Sequence, residues 1–167
     1  GGTVTYFHGQ SRQSRGCSFG DAFVYLMGGT VTYLQGQSRD SRACTFGDSY
    51  VTVDGTSSVN KLNGMSYLDT GCTFGNSVVT VKGGVSSSEN AVLGLAREPD
   101  KNETATYGYS TYGNAKVSIL PTVTHTITYV MGGFMDATVN TRGGNVELNC
   151  SSSGTIANAS GGSYRSC

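Results

Sequence analysis

The first 54 residues consist of one 27-residue unit written twice. Gly1-Gly2-Thr3-Val4-Thr5-Tyr6 returns as Gly28-Gly29-Thr30-Val31-Thr32-Tyr33, Gln10-Ser11-Arg12 as Gln37-Ser38-Arg39, and Cys17-Ser18-Phe19-Gly20-Asp21 as Cys44-Thr45-Phe46-Gly47-Asp48. The two copies agree at 17 of 27 positions. A third copy follows, with Cys72-Thr73-Phe74-Gly75-Asn76 leading into Val78-Val79-Thr80-Val81-Lys82-Gly83-Gly84. Later segments echo the unit: Tyr129-Val130-Met131-Gly132-Gly133 copies Tyr25 to Gly29, and Arg142-Gly143-Gly144 opens a stretch through Val146, Leu148 and Cys150 to Gly162. A unit this short cannot bury an apolar face alone. Stacking on its neighbours does so, and repeats of this length therefore predict a solenoid.

Within each unit the pattern is that of strands. Val4 and Tyr6 alternate with Thr, as do Val31 and Tyr33; Val51 and Val53 flank Thr52, and Val79 and Val81 flank Thr80. This is a two-residue period of β-branched and aromatic residues. Cys17 with Phe19, Cys44 with Phe46 and Cys72 with Phe74 should likewise share an inward face. Composition agrees: 41 of 167 residues are Ser or Thr, 25 are Gly, and only 13% are charged. Ser, Thr, Val, Tyr and Gly all disfavour helix. The net charge is zero, which argues against a general nucleic-acid binder. No apolar run is long enough to span a membrane as a helix. The expectation is an all-β single domain over 1–167, a right-handed parallel β-helix of about six coils. Its first three coils are 1–27, 28–54 and 55–82, an irregular lateral insertion occupies 86–115, and further coils fill 116–167.

The Gly-Gly-[Thr/Val]-Val-x-Tyr and Cys-[Ser/Thr]-Phe-x-[Asp/Asn] motifs resemble the repeat of the chlamydial polymorphic outer-membrane proteins. They are also similar to β-helix repeats of large bacterial and algal surface proteins. The resemblance covers 1–85, extends partly over 126–167, and skips 86–115. Here the acid or amide follows Phe by two positions (Phe19 to Asp21, Phe74 to Asn76) rather than three. The resemblance implies surface display, adhesion or a structural role, and no conserved chemistry.

The segment 86–115 reads differently. Asn90 to Arg97 carries the only helix-compatible spacing, Glu98 to Glu103 is a polar turn, and Tyr107, Tyr109 and Tyr112 follow between glycines. These tyrosines are candidates for sugar stacking or a protein contact, since Tyr offers a rigid apolar face with a polar tip. A second glycan candidate is the strip Arg12, Arg15, Arg39 and Arg42, because guanidinium matches anionic oxygens bidentately. The alternative for each is plain structure: a lateral loop for the tyrosines and a solvated corner for the arginines.

No catalytic, cofactor or metal site emerges. Asp21 and Asp48 lie one coil apart, a spacing that invites a glycosidase reading or a Ca²⁺ site. With Asn76 as the next member, a structural side-chain ladder is the better account. His8 and His125 have no ligand partners at zinc spacing. Five cysteines leave an odd thiol; Cys150 and Cys167 could bridge, and Cys167 could link chains. The remaining cysteines, and Cys150 with them, fit a buried ladder. Asn102, Asn149 and Asn158 head N-glycosylation patterns. The chain begins at Gly1-Gly2 with no leader, so it reads as a mature form or a piece of a longer one.

The leading functional expectation is an extracellular or cell-surface structural protein, not an enzyme, that assembles with itself head to tail into a fibre. The second is an adhesin or carbohydrate-binding module. The third, a polysaccharide-active β-helix enzyme, has no convincing site.

Overall fold

The computed structural model describes residues 2–54, 57–83, 91–97, 104–136 and 141–162. It is a parallel β-solenoid of about five turns. The first coil contains β1 (Thr3–His8), β2 (Ser11–Arg12), β3 (Ser18–Phe19) and β4 (Ala22–Leu26). The second repeats this order as β5 (Thr30–Gln35), β6 (Ser38–Arg39), β7 (Thr45–Phe46) and β8 (Ser49–Val53). The third does so as β9 (Ser58–Asn63), β10 (Ser66–Tyr67), β11 (Thr73–Phe74) and β12 (Ser77–Val81). The fourth runs through β13 (Ala91–Leu93), β14 (Ala96–Arg97), the single helical turn α1 (Thr104–Tyr107) and β15 (Ala115–Ile119). Then come β16 (Ile127–Met131) and β17 (Val146–Cys150), and β18 (Ile156–Ser160) opens a further turn.

Each strand pairs in parallel with its counterpart one coil away. The longest sheet runs β1-β5-β9-β13-β16-β18; the others are β14-β10-β6-β2, β11-β7-β3 and β17-β15-β12-β8-β4. Like residues therefore stack on like: Thr3 pairs Thr30, Ser38 pairs Ser66, and Phe46 pairs Phe74. The 27-residue repeat becomes a set of columns.

Two interior columns form the core. Val24, Val51, Val79 and Val117 from one long sheet face Val31, Leu34, Val59, Leu62, Val92 and Val130 from the other. Beside them stack Phe19, Phe46, Phe74 and Tyr112, with successive ring centroids 5.0, 4.9 and 4.6 Å apart and planes within 6° of parallel. Cys44 and Cys72 are buried beside these rings, as the two-residue period predicts. Cys17 holds the same register in the first coil, where nothing covers it, and is exposed. Each buried Val, Leu or Phe contributes about 1.5–3 kcal/mol of transfer free energy, so the columns supply the main driving force for stacking.

The structure departs from the sequence reading in three places. Val31 and Tyr33 do not share a face. Val31 and Leu34 both reach the core, while Tyr33 stacks outside on Tyr67. The strand thus shifts its alternation between Thr32 and Tyr33, and the pairing ladder skips Thr5, Thr32 and Asn60 in successive coils.

Second, 86–115 is not one lateral insertion. Of its described parts, β13, β14 and 110–115 occupy the positions of a fourth coil, with β13 paired to both β9 and β16, and only 104–109 with α1 stand outside the strand ladders. Ala91 to Arg97 is strand, not helix, because neighbouring strands satisfy its backbone and bury both of its faces.

Third, the turn count is about five rather than six, because the later coils are longer than the first: Ser77 pairs with Ala115 and Ala115 with Val146, each more than a repeat length on.

Between the first two strands of each coil the chain bends at a glycine. A β-carbon on Gly36 would collide with the carbonyl oxygen of Gly64, and one on Gly64 with that of Gly94 and with Ser77 Oγ. Only glycine lets successive bends approach this closely. The bend turns the outer faces of the two strands toward each other and makes a concave corner on the outside of the solenoid.

Candidate functional site

The Asp/Asn row is a backbone-capping ladder. Asp21 Oδ1 accepts the N–H of Asp48 at 2.8 Å, Asp48 Oδ1 that of Asn76 at 2.6 Å, Asn76 Oδ1 that of Asn114 at 3.0 Å, and Asn114 Oδ1 that of Asn145 at 2.8 Å. Each side chain ties its coil to the next, and an amide oxygen serves as well as a carboxylate. This accounts for the Asp-to-Asn drift along the row. The ladder borders an open cleft of about 400 Å³ lined by Asn76, Asn114, Asn145, Lys116 and Glu147. Lys116 Nζ and Glu147 Oε1 pair across it at 2.9 Å, and that pair with Asn149 holds the Glu147 carboxyl below its usual range.

The arginine strip divides. Arg42 is bound to its own coil, with Nη1 donating to the Asp40 carbonyl at 3.1 Å and Nη2 3.6 Å from Asp40 Oδ1. Arg15 pairs Arg42 through an isolated backbone bridge, on a different stretch of the coil from Arg12 and Arg39. Arg12 and Arg39 are neighbours on β2 and β6 and face the concave corner. There the Arg39 guanidinium lies 4.0 Å from the Tyr6 ring centroid and 5.2 Å from that of Tyr67. Tyr6 stacks on Tyr33 at 5.0 Å, and Lys61 Nζ lies 5.1 Å from the Tyr33 ring. The strip is therefore an alternation of cations and aromatic faces, a stabilising arrangement.

His8, Gln35 and Asn63 form the floor of this corner in successive coils. Burial lowers the His8 pKa; its contact with Gln35 opposes this, and the charges of Arg39 and Arg12 lower it further. Gln35 and Asn63 are fully buried. In later coils the equivalent positions are Leu93 and Met131, which pack with Ala91, Met135 and Tyr129 as a small apolar cluster separate from the main core.

The loop tyrosines also separate. Tyr112 is not a surface ligand: it is buried in the Phe column, and its hydroxyl is 2.9 Å from Ser66 Oγ. Tyr109 is exposed, and Tyr107 is half-buried at the end of α1. The signal for Tyr112 lies in the sequence. Ser110-Thr111-Tyr112-Gly113-Asn114 copies Cys72-Thr73-Phe74-Gly75-Asn76 with Ser for Cys and Tyr for Phe. Ser110 Oγ indeed accepts from the Cys72 N–H, where Cys72 Sγ accepts from the Cys44 N–H one coil earlier.

Cys150 does not join the cysteine ladder. It pairs with Ile119, at the end of the valine column, and burial raises its thiol pKa. Cys167 and Asn102 lie outside the described residues. Asn149 and Asn158 sit in strands, with Asn149 Nδ2 donating to Glu147 Oε1 at 2.8 Å and Asn158 Nδ2 to the Thr128 carbonyl at 3.1 Å.

Sequence reasoning missed Asp69. It is wholly buried among serines: Ser38 Oγ donates to its Oδ2 at 2.9 Å, the Ser41 N–H to its Oδ1, and Ser66 Oγ also contacts the carboxyl. Burial pushes its pKa up to about 7. The polar inward column Ser11, Ser38 and Ser66 was the available signal.

Among the described residues, no three His, Cys, Asp or Glu side chains group as a metal site, and no helix is long and apolar enough to cross a membrane. Fold and site together define the class as a parallel β-solenoid repeat protein. Comparison with protein-family models, curated proteins and solved structures returns no match.

Proposed function

We propose that this chain is a structural solenoid of the cell surface or extracellular space that stacks end to end with further copies of itself. The observation that carries this reading is the exposure of apolar side chains on β1, the outermost strand of its sheet in this structure. Val4 and Phe7 occupy the register of Val31 and Leu34, which are buried at 2% and 0%, yet Val4 is 43% and Phe7 39% exposed. The second coil buries its equivalents beneath the first, so the first coil offers a surface already shaped for a similar coil. Such a contact is heterologous and propagates as a filament. An unpaired strand edge favours it through backbone hydrogen bonds.

Analytical ultracentrifugation of the 167-residue chain at micromolar concentration, with electron microscopy of the same sample, tests the reading. Filaments one solenoid wide are expected, and Val4→Lys with Phe7→Lys should abolish them by placing charge on the junction. A stable wild-type monomer overturns the proposal.

A further inference from the structure

The concave corner of the first three coils differs from that of the next two in a way that packing alone does not require. In coils four and five it is filled by Ala91, Leu93, Met131 and Met135, an apolar plug needing no partner. In the first three the same positions hold polar groups that go unsatisfied. Gln35 Nε2, Asn63 Oδ1 and Arg39 Nη1 are buried without a hydrogen bond there, as is Arg97 Nε on the fourth coil, beside Met135 where the polar and apolar parts of the corner meet. Gln35 is 0% and Asn63 1% exposed. Leaving buried polar atoms unpaired is unfavourable, and the later coils demonstrate the apolar alternative. The corner also carries Arg12, Lys61 and the ring faces of Tyr6, Tyr33 and Tyr67.

We infer that this corner binds an acidic polysaccharide lying along the solenoid axis. Each component matches that chemistry. Guanidinium and ammonium groups pair with carboxylate or sulfate oxygens, amides hydrogen-bond hydroxyls, and the Tyr6 and Tyr67 faces that Arg39 covers become available to a sugar ring once the guanidinium moves. The components recur from coil to coil at about 4.8 Å, which suits a polymer rather than a single small anion. Entry of an anionic group lifts the Arg39 guanidinium from between Tyr6 and Tyr67. Its unpaired Nη1 then gains an acceptor, and the Gln35 amide beneath it gains a partner. The corner runs along the side of the coils, so this inference stands independently of end-to-end stacking.

Calorimetric titration of the 167-residue chain with polygalacturonate, dextran sulfate and neutral dextran tests it. Binding to one or both polyanions and none to neutral dextran is expected; the two polyanions distinguish carboxylate from sulfate as the recognised group. Arg39→Gln and the double change Arg12→Gln with Arg97→Gln should each weaken binding by at least about tenfold, equivalent to about 1.4 kcal/mol. Arg142→Gln, on another face, should leave binding unchanged, and unaltered far-ultraviolet dichroism shows that the variants remain folded. Absence of polyanion binding overturns the inference. So does an equal loss in Arg142→Gln, or equally tight binding of single-stranded DNA, since either reports unspecific charge attraction.

Discussion

Tyr112 lies face to face on Phe74, ring centroids 4.6 Å apart and planes 4° from parallel, one coil on in space although well over a repeat length on in sequence. The interior column thus survives the irregular fourth coil. Phe134 then meets Tyr112 edge-on at 5.1 Å and approaches Gly143. Phe46, in the middle of the stack, is nearly inaccessible. Phe46→Ala should destabilise the chain by about 3–5 kcal/mol, read as a shift in the urea midpoint with little change in slope. A shift worth less than about 1 kcal/mol would show that the ring stack is dispensable.

Asp69 makes stability depend on pH with a sign opposite to that of an ordinary salt-bridged carboxylate. Its folded pKa is raised to about 7, above the unfolded value near 3.8. The folded state therefore holds a proton that the unfolded chain releases. The contribution is complete below the unfolded pKa and is lost as pH rises through about 7. The slope cannot exceed about 1.4 kcal/mol per pH unit for one proton. Asp69→Asn should remove this component and gain stability relative to wild type as pH rises from 4 to 8, measured as the difference in melting curves. Equal pH profiles for the two proteins would contradict the assignment.

The capping ladder predicts a graded response at one position. Asp48→Asn keeps an oxygen for the Asn76 N–H and should change stability little. Asp48→Ala removes the acceptor and should cost about 0.5–1.5 kcal/mol. Thermal unfolding of the pair distinguishes a ladder, in which Asn substitutes for Asp, from a site that requires the carboxylate.

Gly64 tests the tightness of the bend. An added β-carbon meets backbone from the next coil rather than a flexible side chain tip alone. Gly64→Ala should cost about 1–3 kcal/mol or more, whereas Gly20→Ala, with open space around it, should be tolerated. Melting temperatures of the two variants provide the comparison.

Thiol labelling separates the cysteines. Cys17 should react in the folded protein, and Cys44 and Cys72 only after denaturation. Cys150 is exposed but has a raised pKa, so its reaction should accelerate only above the usual thiol range. Rapid labelling of Cys72 in the native state would place that column outside the core.

The repeat made the columns legible because a parallel stack converts sequence period directly into contact. Phe46 over Phe74 and Asp48 over Asn76 follow from alignment alone. The shift at Thr32–Tyr33 did not, because a strict two-residue period describes a straight strand, and this one changes which face it presents. The fourth coil was obscured by brevity. Ala91–Leu93 and Ala96–Arg97 are short apolar runs in which helix and strand periods cannot be told apart. Tyr112 was read as a surface residue because its neighbours are Gly, Ser and Thr, although Ser110 to Asn114 aligns with Cys72 to Asn76. The concave corner was half visible. Arg12 and Arg39 stood out as a pair, but the buried Gln35 and Arg97 belong to it only through the bends at Gly36 and Gly94.

The near identity of the first two coils has a consequence for how the chain finds its fold. Sliding one copy past the other by 27 residues restores most side-chain matches, so such a slip is a low-energy misalignment that chain entropy alone does little to prevent. The fourth coil breaks this degeneracy. Its longer path places Tyr112, Ser110 and Asn114 in register with only one set of partners, Phe74, Cys72 and Asn76. The irregular coil therefore acts as an index mark that tells otherwise interchangeable windings where to begin counting.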